Sequence, residues 1–157
     1  MGVSEGLSVE DAYRKWADDL MRYATALVGS ADAGDLVGDS FAGVLRAGEE
    51  RWRRVRDPRA YLFRVVCNHA RMSDRGQRRR ERRELVWLAV NDASEQPADA
   101  SLVALLGRLS VQQRAVTFLT YWEDMPVGEI AGVLGISEGA VKKQLARARA
   151  ALRKELA

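Results

Sequence analysis

Between Val9 and Val28 the apolar side chains Tyr13, Trp16, Leu20, Tyr23, Ala24 and Leu27 recur at steps of three and four, the period of a single helical stripe. Gly29 interrupts that stripe. Ser30 is expected to cap a second helix in which Leu36, Val37, Phe41, Val44 and Leu45 are available for burial, with Asp32 and Asp35 near its positive end. Gly34, Gly38 and Gly43 each weaken such a helix by roughly 1 kcal/mol relative to alanine, so tertiary packing has to hold it. Asp57-Pro58 opens another helix, because the carboxylate caps exposed N–H groups and proline fits the first turn without losing a hydrogen bond. Its pattern runs through Tyr61, Leu62, Val65, Val66, His69 and Met72.

After this helix the composition changes. Arg71 to Arg83 holds seven arginines against Asp74 and Glu81, a local charge of +5. The apolar run Leu85 to Val90 is too short to separate strand from helix, and the acidic, small, proline-containing stretch after it reads as a tether. Helical spacing returns with Leu102, Leu105, Leu106 and Leu109, then Val116, Leu119 and Tyr121, then Ile130, Val133 and Leu134. The expected architecture is all-α: a helical bundle over 1–84, a linker over 85–101 and a second helical domain over 102–157.

The last part of the chain has a more specific pattern. A helix over about Pro126 to Leu134 is followed by Gly135-Ile136-Ser137 and by a second helix. Ala131 is small where two helices would cross, Gly135 tolerates positive φ, and Ile130, Leu134, Ile136 and Val141 fill a shared core. That is the layout of a helix-turn-helix. In the second helix Val141, Leu145, Ala148 and Leu152 form the inward seam, leaving Lys142, Lys143, Arg147, Arg149, Arg153 and Lys154 on the other faces. The start of such a helix enters the major groove while flanking cations sit near phosphates, and Ser137 is placed to cap it.

Composition narrows the alternatives. The chain has 157 residues, 30% of them charged and 47% hydrophobic, with a net charge of +3, so the placement of charge matters more than its total. One cysteine, Cys67, excludes an internal disulfide and reads as a small buried hydrophobe. His69 is the only histidine, which leaves little material for a metal cluster or a Ser/His/Asp triad. No enzyme, metal or cofactor is expected. No apolar run approaches the ~20 residues of a membrane span, and a cytoplasmic protein without a small-molecule substrate is the expectation.

The ordered motifs resemble those of bacterial sigma factors of the small extracytoplasmic-function group. In the first half these are Ala24 to Gly29, Asp35-Leu36-Val37-Gly38-Asp39-Ser40-Phe41, Asp57 to Leu62, and Val65, Val66 and Asn68 with the arginines after them. In the second half they are Gln113 to Val116, Tyr121, Glu123-Asp124, Glu129-Ile130-Ala131, Leu134 to Ser137, Gly139, Val141-Lys142 and Arg147 to Arg149. The resemblance implies that Asp35, Leu36, Asp39 and Phe41 dock on core RNA polymerase, Leu36 and Phe41 serving the internal core as well. It further implies that Asn68, Arg71, Arg75, Arg78, Arg79 and Arg80 act at the melted minus-ten promoter element. Ser137, Glu138, Lys142, Lys143 and Arg147 would enter the minus-thirty-five major groove. An anti-sigma factor that covers the polymerase-binding surfaces is a further implied partner.

This chain departs from the group's pattern at several points. Gly34 and Gly38 stand where Glu and Gln are usual, Ala140 replaces a Thr, and Lys143-Gln144 replace a Ser-Arg pair. Gln144 would read adenine if it faced the groove. Two other readings keep the same helix-turn-helix. One is a regulator that binds duplex DNA alone, and the other is a sigma-like protein without promoter activity.

Overall fold

The computed structural model describes residues 6–73 and 107–156, which are helical apart from caps and short turns. Helix α1 spans Val9–Val28, α2 Ser30–Ala47, α3 Glu49–Arg53 and α4 residues 58–73; α5 spans Val111–Tyr121, α6 Val127–Leu134 and α7 Glu138–Leu156. The all-α expectation holds throughout the described residues. The segment Leu85 to Val90, the tether, Leu102, Leu105, Leu106 and both expected domain boundaries lie outside them.

Local chemistry starts most of these helices. The Ser8 hydroxyl accepts from the Asp11 N–H at the head of α1. Asp57 Oδ1 accepts from the Ala60 N–H at 3.1 Å, as the Asp-Pro pair predicted. Ser110 and Gln113 exchange side-chain and backbone hydrogen bonds in a capping box that opens α5. Ser30 differs from expectation. It is the first helical residue of α2 rather than its cap; Gly29, at φ 90°, holds the cap position without any side-chain bond. At that φ a side chain would be strained, so the reversal from α1 to α2 rests on glycine geometry. The Gly29 carbonyl accepts from the Ala33 N–H at 3.1 Å.

The first four helices close around Leu20, Tyr23, Leu27, Val37, Leu62, Phe63 and Val66, each no more than 2% exposed. Tyr23 and Phe63 pack with ring centroids 4.7 Å apart. Trp52 on α3 is buried, and its indole N–H donates to the Leu7 carbonyl at 2.7 Å, pinning the start of the chain to the bundle. The later helices bury Val116, Leu119, Ile130 and Val141 completely.

These two apolar interiors are continuous. One buried cluster runs from Ala12 and Leu20 through Phe63 to Val116, Leu119 and Leu145. Phe118 of α5 meets Tyr23 of α1 at 5.3 Å, and stacks against Trp122 at 6.0 Å. Periodicity along one helix shows which face is apolar, not which module will cover it, so the contact was invisible in the sequence.

Tyr23 is completely buried, and its hydroxyl has no well-formed hydrogen bond, only the Cys67 thiol as a weak neighbour. Burial pushes its pKa well above the ordinary 10.0, and the Cys67 thiol beside it adds to the rise. Burial likewise pushes Cys67 up from its ordinary 9.0, against smaller opposing effects of Tyr23 and Arg71. A buried hydroxyl without a well-formed hydrogen bond costs about 1–3 kcal/mol.

Three outcomes are expected in urea unfolding. Tyr23→Phe will keep or raise stability, by up to about 1 kcal/mol, since the ring packing survives and the poorly bonded hydroxyl is gone. Both raised pKa values favour the protonated groups in the folded state, so their contribution is complete below the unfolded values, about 9 for the thiol. It is lost as pH rises further toward the folded values; the unfolding midpoint will fall on the alkaline side. Finally, an added Cβ meets nothing within 4 Å at Gly34 or Gly38 but lies 3.0 Å from His69 Nε2 at Gly43. Alanine at 34 or 38 will stabilise by roughly 0.5–1 kcal/mol, and alanine at 43 will gain less.

Candidate nucleic-acid and polymerase interface

The helix-turn-helix forms as its residue types require. Gly135 ends α6 in the left-handed region at φ 69°, and its N–H and that of Ile136 both donate to the Ala131 carbonyl, at 2.9 and 3.1 Å. Ser137 caps α7, its hydroxyl accepting from the Ala140 N–H at 3.0 Å. Val141, Leu145 and Ala148 face inward, and Leu152 is half-buried. This seam leaves Lys142, Lys143 and Arg147 exposed along the outer side of α7, which is the disposition a groove-binding helix needs.

Three residues of that helix are directed differently from a simple groove contact. Gln144 is half-buried and its Oε1 accepts from Gln113 Nε2 of α5 at 3.3 Å. It therefore faces the module interior, and the adenine contact considered for it does not arise in this arrangement. Glu138 is exposed at the head of α7, but its Oε1 lies 2.8 Å from the place a Cβ on Gly128 would occupy. The carboxylate thus sits over the first turn of α6, where a negative charge is favoured by the helix dipole. Arg149 is also engaged, donating to the Tyr121 hydroxyl at 2.7 Å and lying over the Tyr121 ring.

On the other module the acids of α2 point outward. Asp32, Asp35 and Asp39 are exposed, and together with Val28, Leu36, His69 and Ser73 they line a cleft between α2 and α4. Leu36 and Phe41 are only 6% and 7% exposed. Phe41 meets the edge of Tyr13 at 4.7 Å, and the half-exposed Tyr13 and Leu45 continue its apolar surface outward. Leu36 accordingly supports the cleft on which Asp35 and Asp39 present charge, while Phe41 belongs to the separate apolar side that α2 shares with α1.

Asn68 and Arg71 are exposed on α4. Arg75, Arg78, Arg79 and Arg80 lie outside the described residues. Arg64 is one turn before Asn68, so Arg64, Asn68 and Arg71 share one face of α4 by their i, i+4, i+7 spacing. The sequence reading passed over Arg64 because it stands alone among apolar residues, outside the arginine run. Its position one turn before Asn68 was the available signal.

Comparison with known proteins agrees with this layout. Residues 12–82 match the family Sigma-70 region 2, and residues 99–152 match Sigma-70, region 4. The RNA polymerase sigma-E factor of Streptomyces coelicolor is 38% identical over 98% of this chain and 89% of its own length. The ECF RNA polymerase sigma factor SigL of Mycobacterium tuberculosis is 31% identical over 96% of this chain and 90% of its own.

The chain belongs to the sigma-70 family of RNA polymerase sigma factors, in its extracytoplasmic-function group. Solved relatives share the fold. The sigma factor RpoE of Bartonella quintana, in complex with the anti-sigma factor NepR, superposes with a TM-score of 0.67 at 21% identity, covering 94% of this chain and 95% of that one. CnrH, in complex with the cytosolic domain of CnrY, gives 0.63 at 27% identity, covering 94% and 86%. As a sigma factor the chain binds core RNA polymerase and promoter DNA and serves transcription initiation. No helix among the described residues is long and apolar enough to cross a membrane.

The cap at Ser137 gives a direct check on the recognition helix. Ser137→Ala will lower stability by about 1 kcal/mol, and the helical signal of α7 will fray from its start in amide hydrogen exchange. A variant that loses neither would show that the turn geometry alone holds the helix.

Proposed function

We propose that this sigma factor divides its work among three surfaces. The exposed surface of α2, with Asp35 and Asp39 over Leu36 on one side and Phe41 beside Tyr13 on the other, docks on core RNA polymerase. The α4 face carrying Asn68 and Arg71, continued in sequence by Arg75, Arg78, Arg79 and Arg80, holds the melted minus-ten strand. There cations along one backbone and a hydrogen-bonding group for an unstacked base are what strand capture needs. The start of α7, with Ser137, Lys142, Lys143 and Arg147, lies in the minus-thirty-five major groove, where Glu138 lines the turn from the α6 side.

The observation that carries this reading is the separation of charge: acids on the solvent side of α2, and cations on the solvent side of α7, each fixed by an apolar seam beneath. The protein itself performs no covalent chemistry in this scheme; bond formation belongs to the polymerase. The anti-sigma factor NepR present with RpoE supports an anti-sigma partner for this chain too, with the exposed α2 face as the surface that partner and polymerase would share.

Run-off transcription with core enzyme over a genomic fragment library tests the reading and identifies the promoter together. Asp39→Arg will reduce retention on core polymerase at least about tenfold, and leave unfolding unchanged within ~0.5 kcal/mol because the site is exposed. Duplex binding by the isolated chain with sequence preference, and no transcript from any fragment, would replace this reading with that of a stand-alone regulator.

A further inference from the structure

The polar frame of the contact between the two modules includes three arginines, two of which do the same physical job in opposite directions. Arg64 of α4 donates from Nε to the Val133 carbonyl at 3.1 Å and from Nη2 to the Gly132 carbonyl at 2.8 Å. These carbonyls belong to the last turn of α6. Arg114 of α5 donates from Nη1 to the Leu27 carbonyl in the last turn of α1, and from Nη2 to the Gly107 carbonyl at 3.2 Å. Helix ends leave carbonyls without intrahelical partners and carry partial negative charge. Neither α1 nor α6 has a basic residue of its own in its last turn, so each module supplies the missing cation to the other.

The third arginine adds an ion pair. Arg59 Nη2 lies 2.6 Å from Glu123 Oε2 and 3.5 Å from Asp19 Oδ2, with its guanidinium over the Phe63 ring. Glu123 is presented by a turn in which Asp124 takes a left-handed φ of 53°, a conformation that aspartate tolerates better than most residues. The Glu123 side chain is only 15% exposed, so this pair is less screened than a surface pair.

We propose that these contacts form a latch that holds the chain closed and off the promoter, and that Arg64 exchanges the α6 carbonyls for nucleic-acid phosphate when the latch opens. Two placements argue for it. Arg64 lies on the same face of α4 as Asn68 and Arg71, so the closed form occupies a cation of the strand-holding surface. Its guanidinium also sits about 3 Å from where a Cβ on Gly135 would be, directly on the helix-turn-helix turn.

That contact brings Asn68 to within on the order of 20 Å of the start of α7, given ~1.5 Å of rise per residue and one arginine side chain between them. Promoter elements named for positions 25 base pairs apart lie roughly 85 Å apart at ~3.4 Å per pair. The closed form cannot reach both. The stretch from Ser73 to Gly107, 34 residue steps in the sequence, is able to span up to about 110 Å at ~3.3 Å per step, so opening requires no unfolding of either module.

What the opened form grips rests on the sigma-factor reading above; the latch itself is measured independently of it. Spin labels on cysteines introduced at the exposed Arg14 of α1 and Ala146 of α7 report the module separation in the full chain by dipolar spectroscopy. The free protein will give one narrow short distance, and the pair Glu123→Gln with Arg64→Lys will add a long, broad population. A long, broad distribution in the free wild type, or an unchanged distance in the double variant, overturns the latch. Affinity for Streptomyces coelicolor core RNA polymerase supplies a second measurement, because only the open fraction binds. Glu123→Gln, which keeps size and removes charge, will tighten this binding about tenfold; equal or weaker binding overturns the claim that closure opposes polymerase. For Arg64, Lys retains a phosphate contact and Gln does not. The salt slope of binding to a 20-nucleotide single strand will therefore fall by about 0.7 in the Gln variant only, and an equal slope in both overturns the phosphate role.

Discussion

Helix α4 has to satisfy three different environments at once, and the arrangement of the molecule follows from that demand. One side places Leu62, Phe63, Val66 and Ala70 in the bundle with essentially no exposure. The flanks send Arg59 and Arg64 to the second module. Further along the face that starts with Arg64, Asn68 and Arg71 remain in solvent. A helix with a wide apolar stripe and cations at both margins cannot bury the margins in a hydrocarbon core, since an unpaired buried guanidinium is costly. Helix-end carbonyls are the available solution, and α6 provides them.

The same logic explains why the inter-module contact combines a greasy centre with a polar frame. Phe118 against Tyr23 supplies dry contact, and the arginine bonds around it fix orientation. Carbonyl acceptors at a helix end are fixed in direction by the helix itself, so a fork-shaped donor such as arginine meets them in one pose. Such a contact is specific yet divisible: releasing it leaves each helix with solvent-accessible carbonyls that water can satisfy.

The helix-turn-helix was the most legible part of the chain. Gly135, Ser137 and the Val141, Leu145, Ala148 seam all act through neighbours within a few residues, and each behaves in the structure as its type and spacing indicated. The residues proposed for docking were less legible. Asp35, Leu36, Asp39 and Phe41 occupy one short stretch, but burial divides them into supports and surface, and that division depends on where α1 and α4 lie. The directions of Gln144 and Glu138 could not be read from the sequence, because their neighbours, Gln113 and the Gly128 turn, come from other helices.

Sequence alone determined the main helices, the caps at Asp57 and Ser137, the two-part order and the family, because these depend on local hydrogen-bond geometry, on side-chain period and on motif order. It determined the sign of charge on each surface for the same reason. Only the tertiary structure decided that the two apolar interiors merge, that Arg64 and Arg114 cap each other's modules, and that Arg59 finds Glu123. The arginine contacts among these join residues 64 to 87 positions apart. A lone arginine in an apolar helix has the same local signature whether it ends in water, on phosphate or on another helix's last carbonyls, and only the position of that other helix separates the outcomes.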